Sequence, residues 1–174
     1  MASRLADTPL IRSLEETIRE LVEPLESVQL QIRDDGAGEL PNGLELLMGE
    51  LTMVVLVLTN ADLAVTDEET DILNNFHRAV YGSESFALTS DNYRELCLQF
   101  LRIYPDRFLT LDHPPYSVQH LQVYDAENGT EHAEKARAMF LRLANAIVTA
   151  DGAETSEEMV TLQNFKQILY SNSE

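Results

Sequence analysis

A chain of 174 residues is long enough to bury one compact core, and it carries 12 lysines and arginines against 30 aspartates and glutamates, a formal net charge of −18. This charge repels nucleic-acid phosphates and anionic lipid headgroups, so we expect no binding to nucleic acids or to membrane surfaces. A basic protein, a cation or a role in solubility fits the charge better.

The single cysteine and the apolar segments indicate the cellular compartment of the protein. Cys97 excludes an internal disulfide framework, is consistent with a reducing compartment, and lies in an apolar helical pattern typical of a buried small residue. Residues 1–7 contain no long apolar core, which argues against a signal peptide. The most apolar stretch, 51–58, is too short to span a bilayer. The sequence therefore predicts a cytoplasmic protein without membrane insertion.

The first predicted element is a long N-terminal amphipathic helix within residues 1–33. Pro9 suits its first position, and apolar residues recur every three or four positions from Leu10 to Ile32. Pro24 lies inside this run and is expected to kink the helix or split it in two. The apolar stripe fits either a helix packed on the domain or a helix that dimerises or docks, and we favour packing.

A loop rich in glycine, proline and aspartate follows at 34–43, and a helical domain is predicted over 44–170. No segment has the pattern of a strand, so the predicted fold is an all-α helical bundle. The predicted helices span 44 to about 62, 67–81, about 89–105, a short one around 118–124, one capped by Thr130 that reaches 150, and 156–170. The stretch 106–129 is either a partner-binding loop or an ordinary connection, and we favour the connection.

An internal duplication is the clearest motif. Residues 61–76 align with 150–165 without a gap and share nine identities in sixteen positions. Each copy predicts a helix end, a short loop and a new helix, so we expect two duplicated helix-loop-helix halves. Thr66 with Glu69, and Thr155 with Glu158, fit the capping box that satisfies the first amides of a helix.

Two acids of the duplication are not explained by capping. Asp62 and Asp151 lie near predicted helix C-termini, where the helix dipole disfavours an anion. Each therefore needs a counter-charge, a hydrogen-bonding role in the turn, or a cation.

The pattern small–Asp–Gly–x–x–x–x–Glu–Glu between two helices, present twice, resembles the TerB-like domains associated with tellurite resistance. The resemblance is strongest over 144–165, looser over 55–76, and covers roughly 40–170 as an architecture. It implies an all-α fold of two duplicated halves and a divalent-cation site, for Ca²⁺ or Mg²⁺. Carried over to this chain, the ligands would be Asp62, Glu69, Asp151 and Glu158.

The first copy departs from the family pattern. Leu63 stands where the second copy has Gly152, and Val65 stands where it has Glu154. These replacements make the first loop less adaptable and poorer in oxygen ligands, so the second copy is the better candidate for a cation.

The resemblance implies a non-enzymatic interaction or regulatory module of a stress-response or defence system. Residues 124–146 are similar to segments of such domains that precede ATPase modules, which suggests the N-terminal domain of a larger, ATPase-containing protein. A protein partner is expected, and the apolar stripe of the N-terminal helix suggests a homodimer through that helix. The alternative is a divalent-cation sensor that uses the duplicated acidic loops. A metal-dependent hydrolase is the least supported hypothesis, because the four histidines lack zinc-like spacing and the chain contains neither a P-loop nor a nucleophile elbow.

Overall fold

The structure, a computed structural model, describes residues 9–34, 41–61, 65–81, 88–93, 95, 113–150, 152 and 155–171. Within these ranges the chain is helical and contains no strand, which confirms the predicted all-α bundle. The helices with both ends described are α1 (Pro9–Asp34), α2 (Gly43–Thr59), α3 (Asp67–Tyr81), α4 (Tyr116–Asn128), α5 (His132–Val148) and α6 (Ser156–Leu169). Residues 90–93 form a further helical turn, and the rest of the predicted helix that reaches 105 lies almost entirely outside the described residues.

Helix α1 is continuous, so Pro24 does not split it, and a kink at Pro24 stays a prediction. Pro24 has no N–H for the carbonyl four residues earlier, but the apolar stripe is buried on both sides of it. Leu21 and Leu25 are fully buried and Val28 nearly so. Burial of this face offsets the missing hydrogen bond and keeps the helix in one piece.

The apolar stripe of α1 packs against the other helices of the chain, which is the alternative that we favoured from the sequence. Helix α1 contacts α2, α3, α4 and α5, and most of its buried apolar residues belong to the same hydrophobic cluster as those of the other helices: Ile11, Leu14, Ile18, Leu21 and Leu25. The apolar face that would mediate a dimer is thus already covered within the chain. A homodimer through this helix stays a prediction.

Helix α2 lies at the centre of the bundle. It contacts the other five helices, and the residues from Val54 to Thr59 are all buried. Its first residue, Gly43, sits against α1 so closely that a Cβ there would lie 2.9 Å from the carbonyl oxygen of Val22 and 3.1 Å from the Cβ of Leu25. The contact between α1 and α2 therefore requires glycine at this position.

Helix α4 is longer than the short helix expected around 118–124, and it occupies most of the stretch that was expected to be an irregular connection. Val118 and Leu121 are buried in the core, and Gly129, at a φ of 67°, ends the helix in the left-handed conformation. None of the helices in the described ranges combines the length and the apolar character needed to cross a membrane.

Candidate functional site

The duplication extends over two complete helical hairpins. Helix α5 begins and ends 89 residues after the corresponding ends of α2, and α6 begins 89 residues after α3. The hairpins α2–α3 and α5–α6 thus share three of their four helix boundaries, and α6 ends one residue short of the equivalent of Tyr81, whereas the dense run of sequence identities covers only sixteen positions.

The C-termini of α2 and α5 are closed by the same hydrogen bonds. The amides of Asn60 and Ala61 donate to carbonyls four and three residues earlier, at 3.2 and 3.0 Å. The amides of Thr149 and Ala150 do the same, both at 3.1 Å. In the second copy the chain then passes through Gly152 at a φ of 72°, a conformation that disfavours any side chain with a Cβ.

The N-termini of α3 and α6 carry the predicted capping boxes. The amide and the hydroxyl of Thr66 donate to Oε2 of Glu69 at 2.7 and 2.9 Å, and the Glu69 amide donates back to the hydroxyl at 3.3 Å. The same three bonds between Thr155 and Glu158 measure 2.9, 2.9 and 3.2 Å. The capping prediction is confirmed in both copies.

The two capping glutamates are buried although they are acidic. Glu69 is 3% exposed and Glu158 is 6% exposed. Each carboxylate lies at the positive end of a helix and accepts two hydrogen bonds through one oxygen, which compensates the loss of water. Both side chains therefore have a structural role whether or not they also bind an ion.

The other two proposed ligands, Asp62 and Asp151, lie outside the described residues, as do Leu63 and Glu154. Among the residues that are described, no three histidine, cysteine, aspartate or glutamate side chains are grouped as a metal ion would require. The four-carboxylate cation site stays a prediction.

A half-buried acid on α2, Glu50, holds the start of α4 and was not identified from the sequence. Its carboxylate accepts hydrogen bonds from the amides of Tyr116 and Ser117, at 2.5 and 3.1 Å, and from the Ser117 hydroxyl. Burial raises the pKa of Glu50, although these hydrogen bonds and the nearby His113 act in the opposite direction. Pro115 is the residue of the sequence that indicates such a contact. It precedes α4 and has no side-chain group that could cap this helix, so a cap has to come from another part of the chain.

The start of α5 corrects another prediction, because Thr130 does not cap it. The carboxylate of Asp125, at the end of α4, accepts from the amides of His132 and Ala133 at 2.9 and 2.7 Å, while the Thr130 hydroxyl donates to Asp125 at 2.6 Å. Burial acts to raise the pKa of Asp125, but the hydrogen bonds from Thr130, Ala133 and His132 outweigh it and lower the pKa. A cap from seven residues upstream has no short-range sequence signature.

The histidines are distributed over the fold. His77 on α3 contacts the hydroxyl of Thr52 at 3.2 Å, and His132 contacts Asp125 at 3.2 Å. Burial lowers the pKa of His77 and of His120, which favours their neutral forms near neutral pH. His113 packs against the ring of Tyr116, with centroids 4.9 Å apart.

Comparison with known proteins returns no match among family models, curated proteins or solved structures. The resemblance to TerB-like domains therefore depends on the duplicated element alone.

Proposed function

We propose that this chain is a non-enzymatic interaction and regulatory module of the TerB-like type, acting in the cytoplasm as part of a stress-response or defence system. The observation that supports it best is the repeat of a hairpin, with equivalent helix starts in both copies and the same hydrogen bonds at the ends of α2 and α5. This is the architecture that the resemblance implies, extended beyond the residues that suggested it.

The charge of the chain indicates the chemistry of the partner. A net charge of −18 favours a basic protein surface and accelerates its association with the module. Each hairpin exposes an acid in the first turn of its second helix, Glu68 in α3 and Glu157 in α6, which are equivalent in the repeat. We place the partner contact on these two turns, and an ATPase component of the system is the kind of partner that the resemblance suggests.

The test is a binding experiment with charge-matched variants. The tagged chain is used as bait in extracts of its source, and each retained protein is identified, purified and titrated against the pure chain. Reversing Glu68 and Glu157 to lysine should weaken binding of a basic partner by roughly tenfold, about 1.4 kcal/mol. The control reverses Glu16 and Glu23, two exposed acids of α1 with no part in the hairpins, and so changes the net charge equally.

The proposal predicts that the control binds nearly as tightly as the unmodified chain. It is contradicted if no protein is retained, or if both pairs of reversals weaken binding equally, since the hairpin turns would then have no special role. A melting curve of each variant shows that both remain folded.

A second candidate function is the divalent-cation sensor. It is favoured by the equivalent, buried positions of Glu69 and Glu158, two of its four proposed ligands. Millimolar Ca²⁺ or Mg²⁺ at 100 times the Kd would stabilise the fold by about 2.7 kcal/mol, which a thermal melt detects. The variant with Asp62→Asn and Asp151→Asn keeps both capping boxes and should lose this shift; an unchanged shift, or none in the unmodified chain, rejects the sensor.

A further inference from the structure

The dipeptide Asn-Gly occurs twice, at Asn42–Gly43 and at Asn128–Gly129, and both asparagines are exposed. An asparagine side-chain amide can be attacked by the backbone nitrogen of the next residue. Glycine allows this attack best, because it has no Cβ to obstruct it and gives the backbone the most freedom. The two sites share their chemistry and differ in their structural surroundings.

At Asn128–Gly129 the reacting atoms are held by hydrogen bonds. The Gly129 amide, which would be the nucleophile, donates to the carbonyl of Asp125 at 2.8 Å. The side-chain nitrogen of Asn128, which would leave, donates to the carbonyl of Tyr124 at 2.9 Å. Both bonds must break before the attack, so the end of α4 protects this asparagine.

At Asn42–Gly43 the surroundings favour the attack. Gly43 is the first residue of α2, and the amide at this position has no acceptor within the helix. The positive end of the helix dipole also favours the deprotonated form of that amide. The Glu45 amide donates to Oδ1 of Asn42 at 2.9 Å, and this is the oxygen on which negative charge develops during the attack.

The structure also gives both residues of the reactive pair a role. Asn42 forms a capping box with Glu45, and its own amide donates to the Glu45 carboxylate at 3.0 Å. Gly43 allows the close contact with α1, where a Cβ would meet the Val22 carbonyl oxygen at 2.9 Å. The cap of α2 and its close contact with α1 therefore depend on the same two residues that are prone to this reaction.

We infer that Asn42 is a site of spontaneous modification in the folded protein. The Gly43 nitrogen loses its proton to hydroxide and bonds to Cγ of Asn42, and the side-chain nitrogen leaves as ammonia, which gives a cyclic imide. Water then opens the ring at either carbonyl carbon, and the products are aspartate and isoaspartate. The net reaction consumes one water and releases one ammonia for each asparagine.

The two products have opposite consequences for the fold. Aspartate keeps the cap, because aspartate and asparagine are comparable N-cap residues. Isoaspartate inserts a methylene into the backbone immediately before Gly43, so the cap pair with Glu45 is lost and the start of α2 moves against α1. The modification loosens the contact between these two helices only through the isoaspartate product.

The test is to age the full chain at mildly alkaline pH and to follow both asparagines by peptide mapping. Isoaspartate is detected as a substrate of purified isoaspartate methyltransferase. Before Asn128 can react, the hydrogen bonds of the Gly129 amide and of the Asn128 side-chain nitrogen must break. Breaking each one costs about the net stability of one hydrogen bond. We therefore expect Asn42 to react about tenfold faster or more, a barrier lower by about 1.4 kcal/mol.

Two variants complete the experiment. Asn42→Ser retains an N-cap residue and should remove nearly all isoaspartate, whereas Asn128→Ser should leave its accumulation almost unchanged. In the unmodified chain the isoaspartate fraction should melt at a lower temperature than the aspartate fraction. The inference is overturned if Asn128 reacts as fast as Asn42, or if neither reacts in the folded chain faster than in the unfolded one.

Discussion

The two hairpins have the same helical frame but different surroundings. Helix α2 buries all six residues of its last turns, including Leu56 and Val57. At the equivalent positions α5 has an exposed Asn145 and a half-buried Ala146. The repeated caps and turn hydrogen bonds determine where the helices begin and end. The buried and exposed positions differ between the hairpins because each hairpin packs against different neighbours.

The segment after α3 marks a second difference between the hairpins. Asn74 on α3 donates to the carbonyl of Leu88 at 2.7 Å and accepts from its amide at 2.9 Å, and the hydroxyl of Thr59 bonds to that of Tyr93 at 3.1 Å. In the second hairpin Gln163 and Val148 occupy the positions of Asn74 and Thr59, and Gln163 is exposed. The first hairpin thus bonds residues 88–93 through Asn74 and Thr59, whereas in the second hairpin Gln163 is exposed and Val148 is buried.

The largest expected difference between the hairpins is at Leu56 and Asn145. Leu56→Ala leaves a cavity in the core and should lower the free energy of unfolding by about 2–5 kcal/mol. Asn145→Ala removes an exposed side chain and should change it by about 0.5 kcal/mol or less. Urea denaturation of both variants measures the contrast, and equal losses would mean that the two hairpins are equally buried.

A smaller difference is expected at Asn74 and Gln163. Asn74→Ala leaves the amide and the carbonyl of Leu88 without their partners and should cost about 1–3 kcal/mol. Gln163→Ala should lie within about 0.5 kcal/mol of the unmodified chain. Hydrogen exchange of the Leu88 amide provides a local measurement, and unchanged protection in Asn74→Ala would contradict this role.

The capping boxes should behave alike in the two hairpins. Thr66→Ala and Thr155→Ala each remove an N-cap and should each cost about 1 kcal/mol. Their effects should add in the double variant, because the hydrogen bonds between the threonine and the glutamate of each box lie within that box. Thermal denaturation checks both points, and a clearly unequal pair of losses would show that the environments of the caps differ.

The smallest expected effect is a change in the pH dependence of stability at Glu50, whose counterpart in the second hairpin is the buried Met139. Burial raises the pKa of Glu50, so its contribution to stability is full below its ordinary value of 4.5 and is lost as the pH rises through the raised pKa. Glu50→Gln cannot titrate, so the stability of the unmodified chain relative to this variant should fall from acidic to neutral pH. A difference that stays constant over this range would contradict the prediction.

Much of the fold could be predicted from local patterns. The start of α1 at Pro9, the whole of α3 and the start of α6 at Ser156 follow from residues that act on their own neighbours. Pro24 does not split α1, because the cost of its missing hydrogen bond is local, whereas the burial that offsets this cost comes from four other helices.

The polar contacts were harder to predict. The capping boxes join residues three apart and could be recognised from spacing, but Glu50 and Ser117 are 67 residues apart, and Asp125 caps a helix that begins seven residues later. Such contacts are specified by the folded arrangement and leave no periodic signal. The proposed cation ligands Asp62 and Asp151 came from the resemblance and from the helix dipole, and they fall outside the described residues.

The dependence of α4 on Glu50 has a consequence for the order of folding. Its N-terminus receives no side-chain cap from Pro115 and obtains a carboxylate from a residue more than sixty positions earlier. Closing so long a loop has an entropic cost that short-range contacts avoid. The two hairpins can assemble from nearby residues, whereas we expect the start of α4 to be completed only after α2 is in place. A late step of this kind slows folding more than it changes equilibrium stability.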